Sequence, residues 1–267
     1  MTSKWKAILF CSCYNLLFEF SMRGILGFFD RFLFFWLFFI YFSYFNIVIH
    51  VSSITHGSER VILATTASFG IILATLGTGI IFIDYSVIGL NILTLLIVLF
   101  VWWGVLQTFI PMYMSGKLFG YHFNNGQLKI WEFILYLIYL VIFNIIAFME
   151  SLKGPLHGYL LAGIIFLMLF IWTIWEIKRE ERKQVQDLPI LEDEKRYSES
   201  RLLDFGFIST VVISIFSGLI LPIYYPPIGA RAVYQAAIWL MSFWSLILLG
   251  ITVIYKIKEK RPIPLPS

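Results

Sequence analysis

Residues 83–117, IDYSVIGLNILTLLIVLFVWWGVLQTFIPMYMSGK, decide the fold class of this chain. Their centre, residues 87–110, is predominantly apolar, and about 20 apolar residues in a helix cross the hydrocarbon core of a bilayer. Asp84 precedes this apolar run, and Pro111 and then Gly116-Lys117 follow it. We therefore predict a membrane-spanning helix over residues 87–110.

The whole chain has the composition of a membrane protein. Of its 267 residues, 60% are hydrophobic and 13% are charged, whereas soluble domains have about 25% charged residues. Eight candidate spans cover residues 6–29, 32–50, 61–82, 87–110, 130–149, 158–177, 204–225 and 232–255. The connections are mostly short and no internal repeat is present. We predict an all-α polytopic membrane protein with a single transmembrane domain over residues 1–267.

Positive charge orients the predicted spans, because Lys and Arg collect in cytoplasmic loops. We predict that both termini are cytoplasmic, because most of the 20 Lys and Arg residues then fall on the cytoplasmic side. The longest connection, at about residues 178–203, has charges of both signs, and we predict a solvated cytoplasmic loop, with a docking surface as the alternative. Residues 180–183 are expected to extend the preceding helix into water. The positive charge of cytoplasmic loops accounts for the net charge of +4, so no nucleic-acid partner is needed to explain it.

Residues 89–117 resemble the ligand-bearing helix of subunit I of the B-type haem-copper oxidases. In that family Gly-His-x-His leads into an apolar helix, then a Pro and Gly-Lys, and the two histidines bind the two haems. Gly89 matches the family glycine, Gly116-Lys117 match its Gly-Lys pair, and Pro111 is one residue out of register. Leu90 and Ile92 occupy the two haem-ligand positions.

Three further segments are similar to the same family, in the same order. Residues 2–8 resemble a Trp-Lys helix entry, residues 124–155 resemble the helix after the ligand-bearing one, and residues 178–207 resemble a late cytoplasmic loop. The resemblance implies a degenerate, non-catalytic relative of the C-terminal helices of subunit I. Such a chain would be an accessory membrane subunit of an aerobic terminal oxidase, with quinol as the expected substrate of the complex.

The same resemblance implies the cofactors and partners. No haem or copper is expected in this chain; both are expected in a catalytic subunit I beside it. The other implied partners are further respiratory-complex subunits, membrane lipid and quinone. The implied location is a bacterial or archaeal plasma membrane.

The residues alone leave other functions open. Glu19 would lie inside a span, where a carboxylate by default indicates a proton or ion path. Arg23 lies four residues on and can instead neutralise it.

An independent transporter or channel-like protein would need such a polar path. A haem-b subunit that reacts with quinone would need two histidines at matching depth, and His50 with His122 is the pair to consider.

Small and polar residues of the third and fourth spans are candidate helix-packing positions. Small residues let membrane helices approach closely, and Asn or Thr can form hydrogen bonds across helices. We expect these two spans to take part in contacts with subunit I. The five positions are Gly70, Ala74, Gly77, Asn91 and Thr94.

Overall fold

The computed structural model describes residues 2–28, 31–82, 88–121, 126–150, 154–186 and 201–224, with scattered helical positions between 243 and 257. These residues are helices and short connections, without a strand among them. The predicted all-α class is thereby confirmed for the part of the chain that is described. The predicted eighth span, at residues 232–255, lies outside it apart from the scattered positions.

Eight α-helices succeed one another in the described ranges. They are α1 (Ser3–Phe28), α2 (Arg31–Ile54), α3 (Glu59–Ile72), α4 (Ile92–Leu96), α5 (Ile110–Phe119), α6 (Ile130–Glu150), α7 (Leu156–Gln186) and α8 (Arg201–Tyr224). A π-helical turn at Leu73–Gly77 extends α3, and a short 3-10 helix follows at Ile80–Phe82. A π-helical segment at Ile97–Phe109 joins α4 to α5, so that Ile92–Phe119 is one continuous helix.

Among the residues that the structure describes, five helical segments are long and apolar enough to cross a membrane. They are Phe34–Ile54, Glu59–Gly77, Ile92–Phe119, Leu156–Arg182 and Leu203–Ile220. The segment Ile130–Ile146 of α6 is apolar but shorter, and α1 is not among the five. The fold is therefore compatible with a multi-pass membrane protein. The count of eight spans and the cytoplasmic placement of both termini stay predictions.

The fourth predicted span has different ends from those expected. Its helix begins at Ile92 instead of residue 87, because Gly89 has φ +83°, outside the right-handed helical region. Asn91 then caps the helix, its Oδ1 accepting a hydrogen bond from the Thr94 N–H at 3.0 Å. The helix also continues through Pro111 to Phe119, where Gly120 ends it in the left-handed conformation.

The predicted charged loop is partly helix. The extension of the preceding helix is confirmed, because α7 runs on to Gln186. Residues 187–200 lie outside the described residues, and α8 begins at Arg201.

The chain divides into two compact units. Unit 1 contains residues 1–45, 105–121 and 199–265, and unit 2 contains residues 46–104, 122–198 and 266–267. In unit 1, α1 packs against α8 and α5. In unit 2, α3 packs against α7, and α6 packs against the π-helical turn Leu73–Gly77. The prediction of one transmembrane domain stays a prediction.

Candidate functional site

Unit 1 contains a group of buried polar side chains, which we call the polar seam. α1 contributes two of them, four residues apart and therefore on one face of the helix. α2 contributes two tyrosines, and the helix leading into α5 contributes an amide and a hydroxyl. No member is more than 8% exposed. The members of the polar seam are Asn15, Glu19, Tyr41, Tyr44, Gln107 and Thr108.

Two short hydrogen bonds in the polar seam join side chains of different helices. The Tyr41 hydroxyl donates to Glu19 Oε1 at 2.6 Å. The Tyr44 hydroxyl and Thr108 Oγ1 are also 2.6 Å apart. Burying a polar group away from water costs free energy unless the group forms a hydrogen bond. These two bonds offset that cost and hold the helices together.

A third hydrogen bond explains how the helix passes Pro111. Proline has no N–H, so the carbonyl oxygen of Gln107, four residues earlier, loses its usual helical donor. Asn15 Nδ2 donates to that carbonyl oxygen at 3.1 Å. A neighbouring helix thus satisfies the backbone group that the proline frees, which membrane helices require. The side chain of Asn15 therefore has a structural role in unit 1.

Two amide oxygens of the polar seam have no hydrogen-bond partner within the described residues. They are Oδ1 of Asn15 and Oε1 of Gln107. Asn15 is fully buried and Gln107 is 2% exposed. A buried acceptor without a hydrogen bond costs about 1–3 kcal/mol.

Glu19 is the acidic residue of the polar seam. It is 8% exposed and accepts the hydrogen bond from Tyr41. The side chain of Arg23, its expected partner, is outside the described residues. The ion pair between the two therefore stays a prediction.

An ion pair lies at the start of α8. Lys117 Nζ is 2.6 Å from Asp204 Oδ2, and both side chains are 26% exposed. The Tyr113 hydroxyl donates to the other carboxylate oxygen at 3.1 Å. Just past the end of α5, burial raises the pKa of Tyr121 to about 12, above the ordinary value of 10. The contacts of Lys117 and Tyr113 with Asp204 join the C-terminal part of α5 to α8.

Leu90 and Ile92, at the family's haem-ligand positions, lie in unlike surroundings. Leu90 precedes the helix and is fully buried, whereas Ile92 is its first residue and is 42% exposed. Gly89, the matched glycine, has no room for a side chain. A Cβ there would lie 2.6 Å from His157 Cδ2.

The candidate packing positions of the third span all lie in unit 2. A Cβ at Gly70 would be 2.7 Å from Trp103 Cδ1, so this glycine lets the Trp103 ring lie against α3. Ala74 is 2% exposed. A Cβ at Gly77 would be 3.5 Å from Asn144 Oδ1 of α6. These three residues thus serve contacts within the chain, and their role toward a partner stays a prediction.

The histidines of unit 2 have identifiable contacts. His50 Nδ1 accepts a hydrogen bond from the Leu128 N–H at 3.1 Å, so the neutral ring has its proton on Nε2. His122, its suggested partner, lies outside the described residues. Among the residues that are described, no three His, Cys, Asp or Glu side chains are grouped so as to hold a metal ion.

Part of the polar seam has a signal in the sequence. Asn15 and Glu19 are four residues apart in a largely apolar stretch, which places them on one helical face. Gln107 and Thr108 are polar residues of the fourth span. Tyr41 and Tyr44 have no such signal, because α2 is rich in aromatic residues that look alike in sequence.

Comparison with known proteins gives no relative for this arrangement. No protein-family model matches the chain, and no curated protein and no solved structure matches it.

Proposed function

We propose that this chain is a non-catalytic integral membrane subunit of an aerobic respiratory terminal oxidase, of the haem-copper, quinol-oxidising kind. The observation that carries the proposal is the resemblance of residues 89–117 to the ligand-bearing helix of subunit I. Gly89 and Gly116-Lys117 are in place, and Leu90 and Ile92 stand where the ligands would be. Haem iron in proteins is held by His, Met, Cys or Tyr side chains, so neither residue can replace a histidine.

The surroundings of the ligand positions support a role without a cofactor in this chain. Protein atoms cover Leu90 completely, while Ile92 is exposed. Two haems would need a cavity beside each position. On this proposal, haem and copper belong to the partner subunit I in the prokaryotic plasma membrane.

Contacts between helix ends support the charge-derived topology. Each of three contacts joins two positions that the topology places at the same membrane face. Two of these contacts belong to the face predicted to be cytoplasmic and one to the opposite face. The pairs are His50 with Leu128, Lys117 with Asp204, and Gly89 with Gly158. They support the alternation of the helix ends, on which the proposal of eight spans depends.

The outward faces of α6 and α7 supply the surface for association. Large apolar side chains there are exposed, among them Leu135, Ile138, Leu167 and Met168. Lipid, quinone or a neighbouring membrane subunit would cover them in the bilayer. Packing beside subunit I is the role that this surface supports.

A second candidate function is that of an independent transporter or channel-like protein. The polar seam favours it, because buried polar groups inside a helix bundle are what a path for ions requires. A haem-b quinone-reactive subunit is less well supported. With its proton on Nε2, His50 has no lone pair there to offer to iron.

Copurification tests the oxidase proposal. The tagged chain would be extracted from native membranes in a mild detergent, separated on a native gel and identified by mass spectrometry. We expect subunit I of a haem-copper oxidase in the same band. The control is an equally tagged, unrelated polytopic protein from the same membranes. Migration as a lone chain or homo-oligomer, with no oxidase subunit present, would refute the proposal and leave the transporter hypothesis ahead.

A further inference from the structure

The helix formed by α3 and its π-helical extension, Glu59–Gly77, ends within unit 2. The last four carbonyl groups of a helix have no partner inside it, and here they belong to residues 74–77. The helix stops at this point, because Thr78 has φ −122° and Gly79 has φ +67°. Aligned peptide dipoles give such an end the equivalent of about half a negative charge. This helix end therefore favours a positively charged neighbour.

Four hydrogen-bond donors at this helix end are directed to other acceptors. The Thr75 hydroxyl donates to the Ile71 carbonyl oxygen at 2.6 Å. The N–H and the hydroxyl of Thr78 both donate to the Leu73 carbonyl oxygen, at 2.9 and 3.3 Å. The Ile80 N–H donates to Thr78 Oγ1 at 3.3 Å. None of these four donors is directed to the carbonyl groups of residues 74–77.

Asn144 of α6 contributes a further acceptor to the same helix end. The side chain is 4% exposed, and its Nδ2 donates to the Leu140 carbonyl oxygen at 2.8 Å. This bond fixes the orientation of the amide, because only the nitrogen can donate. Oδ1 then faces Gly77, where a Cβ would lie 3.5 Å from it. Within the described residues Oδ1 has no hydrogen-bond partner, so it is a buried acceptor directed at a helix end that also carries acceptors.

The chemistry of these oxygens selects a monovalent cation as the ligand. All of them are neutral, since they belong to backbone carbonyls and one side-chain amide. Ca²⁺ and Mg²⁺ are usually bound through carboxylates, and the described part of the chain has no cluster of acidic or other metal-binding side chains. Asp84, the first acid after this helix end in sequence, lies outside that part. In discontinuous membrane helices, carbonyl groups at a helix end bind Na⁺.

We propose that the carbonyl groups of residues 74–77 and Oδ1 of Asn144 form a binding site for a monovalent alkali cation, Na⁺ or K⁺. Gly77 and Thr78 are half-buried, so an ion can enter beside them. The bound ion joins the π-helical turn to α6, which packs against it. The site belongs to unit 2 alone and does not depend on association with an oxidase, so its test is independent of copurification.

Thermal unfolding of the purified full-length chain in a mild detergent tests the site. NaCl or KCl would replace choline chloride at constant ionic strength, with circular dichroism as the measurement. At least one of the two cations should raise the midpoint, and the stabilisation should grow with the logarithm of its concentration above the Kd. Equal midpoints in all three salts, as expected for a site that holds only water, would overturn the proposal. A larger response to Ca²⁺ would overturn the choice of a monovalent ion.

Two substitutions at residue 144 make the test specific. Asn144→Leu removes the oxygen at similar side-chain size, so the apparent affinity for the cation should fall about tenfold, as for the loss of one buried polar contact. Asn144→Asp keeps an oxygen and adds a negative charge, so it should bind the cation more tightly than the wild type. Asn15→Leu is the matched control, because it is the same change at a buried asparagine of unit 1. Its stability falls, but the increment due to the cation should be unchanged.

Either variant can contradict the assignment. An Asn144→Leu protein that responds to the cation as the wild type does would overturn it. Should the leucine variant fail to fold, an Asn144→Asp protein with no higher affinity than the wild type would overturn it as well.

Equilibrium dialysis measures the binding itself. Radioactive Na⁺ and Rb⁺, which replaces K⁺, are the two probes. The wild-type chain should show a single saturable site for at least one of them, and Asn144→Leu should weaken that site. Binding of both probes that never saturates would refute the site.

Discussion

Replacement of Gly70 by alanine should destabilise the chain through a contact with one indole ring. The new Cβ would lie 2.7 Å from Cδ1 of Trp103, 2.9 Å from Cγ and 3.3 Å from Cβ. The backbone fixes the position of the Trp103 Cβ atom, and the Cγ and Cδ1 atoms can move away only if the buried ring rotates out of its packed position. Trp103 is only 6% exposed, and its ring packs edge-on against Phe69 at 5.5 Å. Overpacking of this kind costs about 1–3 kcal/mol.

A second glycine provides the matched control for this prediction. Gly163 lies in α7, is exposed, and has no atom within 4 Å of an added Cβ. Gly→Ala in a helix interior gains about 1 kcal/mol from helix propensity, and that gain is common to both variants. The free energies of unfolding of Gly70→Ala and Gly163→Ala should therefore differ by the overpacking cost, about 1–3 kcal/mol.

Unfolding in mixed micelles of dodecyl sulfate and a non-ionic detergent, followed by circular dichroism, measures this difference. In a Trp103→Ala background the ring is gone, and the two glycine variants should then differ little. Agreement of the two single variants within about 0.3 kcal/mol would refute the contact between Gly70 and Trp103. Loss of copurification without loss of stability would instead assign Gly70 to a partner contact.

Three other results are expected. For topology, an impermeant thiol reagent on intact cells should label Ile228→Cys and spare Ser198→Cys, both outside the described residues; the opposite pattern would reverse the orientation. For pigment, the purified chain should show no stoichiometric b-type band in a reduced-minus-oxidised spectrum, and one haem per chain would contradict the proposed function. For the proline bypass, Asn15→Leu should cost about 1–3 kcal/mol by leaving the Gln107 carbonyl unmet. Pro111→Ala should recover part of this cost by restoring a backbone N–H, and an unchanged cost would disprove the mechanism.

The helices were largely predictable because long apolar runs have few other solutions in a membrane. Their ends were less so. Residue 87 looked like a helix start because no charged residue follows Asp84 until Lys117. The positive φ of Gly89 and the capping side chain of Asn91 nevertheless move the start to Ile92. Pro111 looked like a stop. It is not one, because the donor that compensates for it comes from a residue far away in sequence.

The candidate site was predictable only where its residues share a helix. The spacing of Asn15 and Glu19 is enough by itself to place them on one helical face. The residues that contact them from other helices cannot be predicted in this way. Membrane helices are apolar all round, so their sequences show no single apolar face that indicates which helix packs against them. Tyr41 is one aromatic residue among many in α2. Which helix lies beside which is decided by packing, as with Gly70 and Trp103.

The contact between Gly89 and Gly158 limits how this sequence can vary. A Cβ at Gly158 would lie 2.5 Å from the carbonyl oxygen of Gly89, and one at Gly89 would lie 2.9 Å from the Gly158 nitrogen. Backbone atoms cannot move aside as a flexible side chain can, so neither position accepts a side chain while the other stays where it is. A side chain at either position therefore requires the backbone at the other position to move. In a divergent lineage, this pair of glycines would therefore outlast most of the apolar residues around it, which can exchange freely for one another.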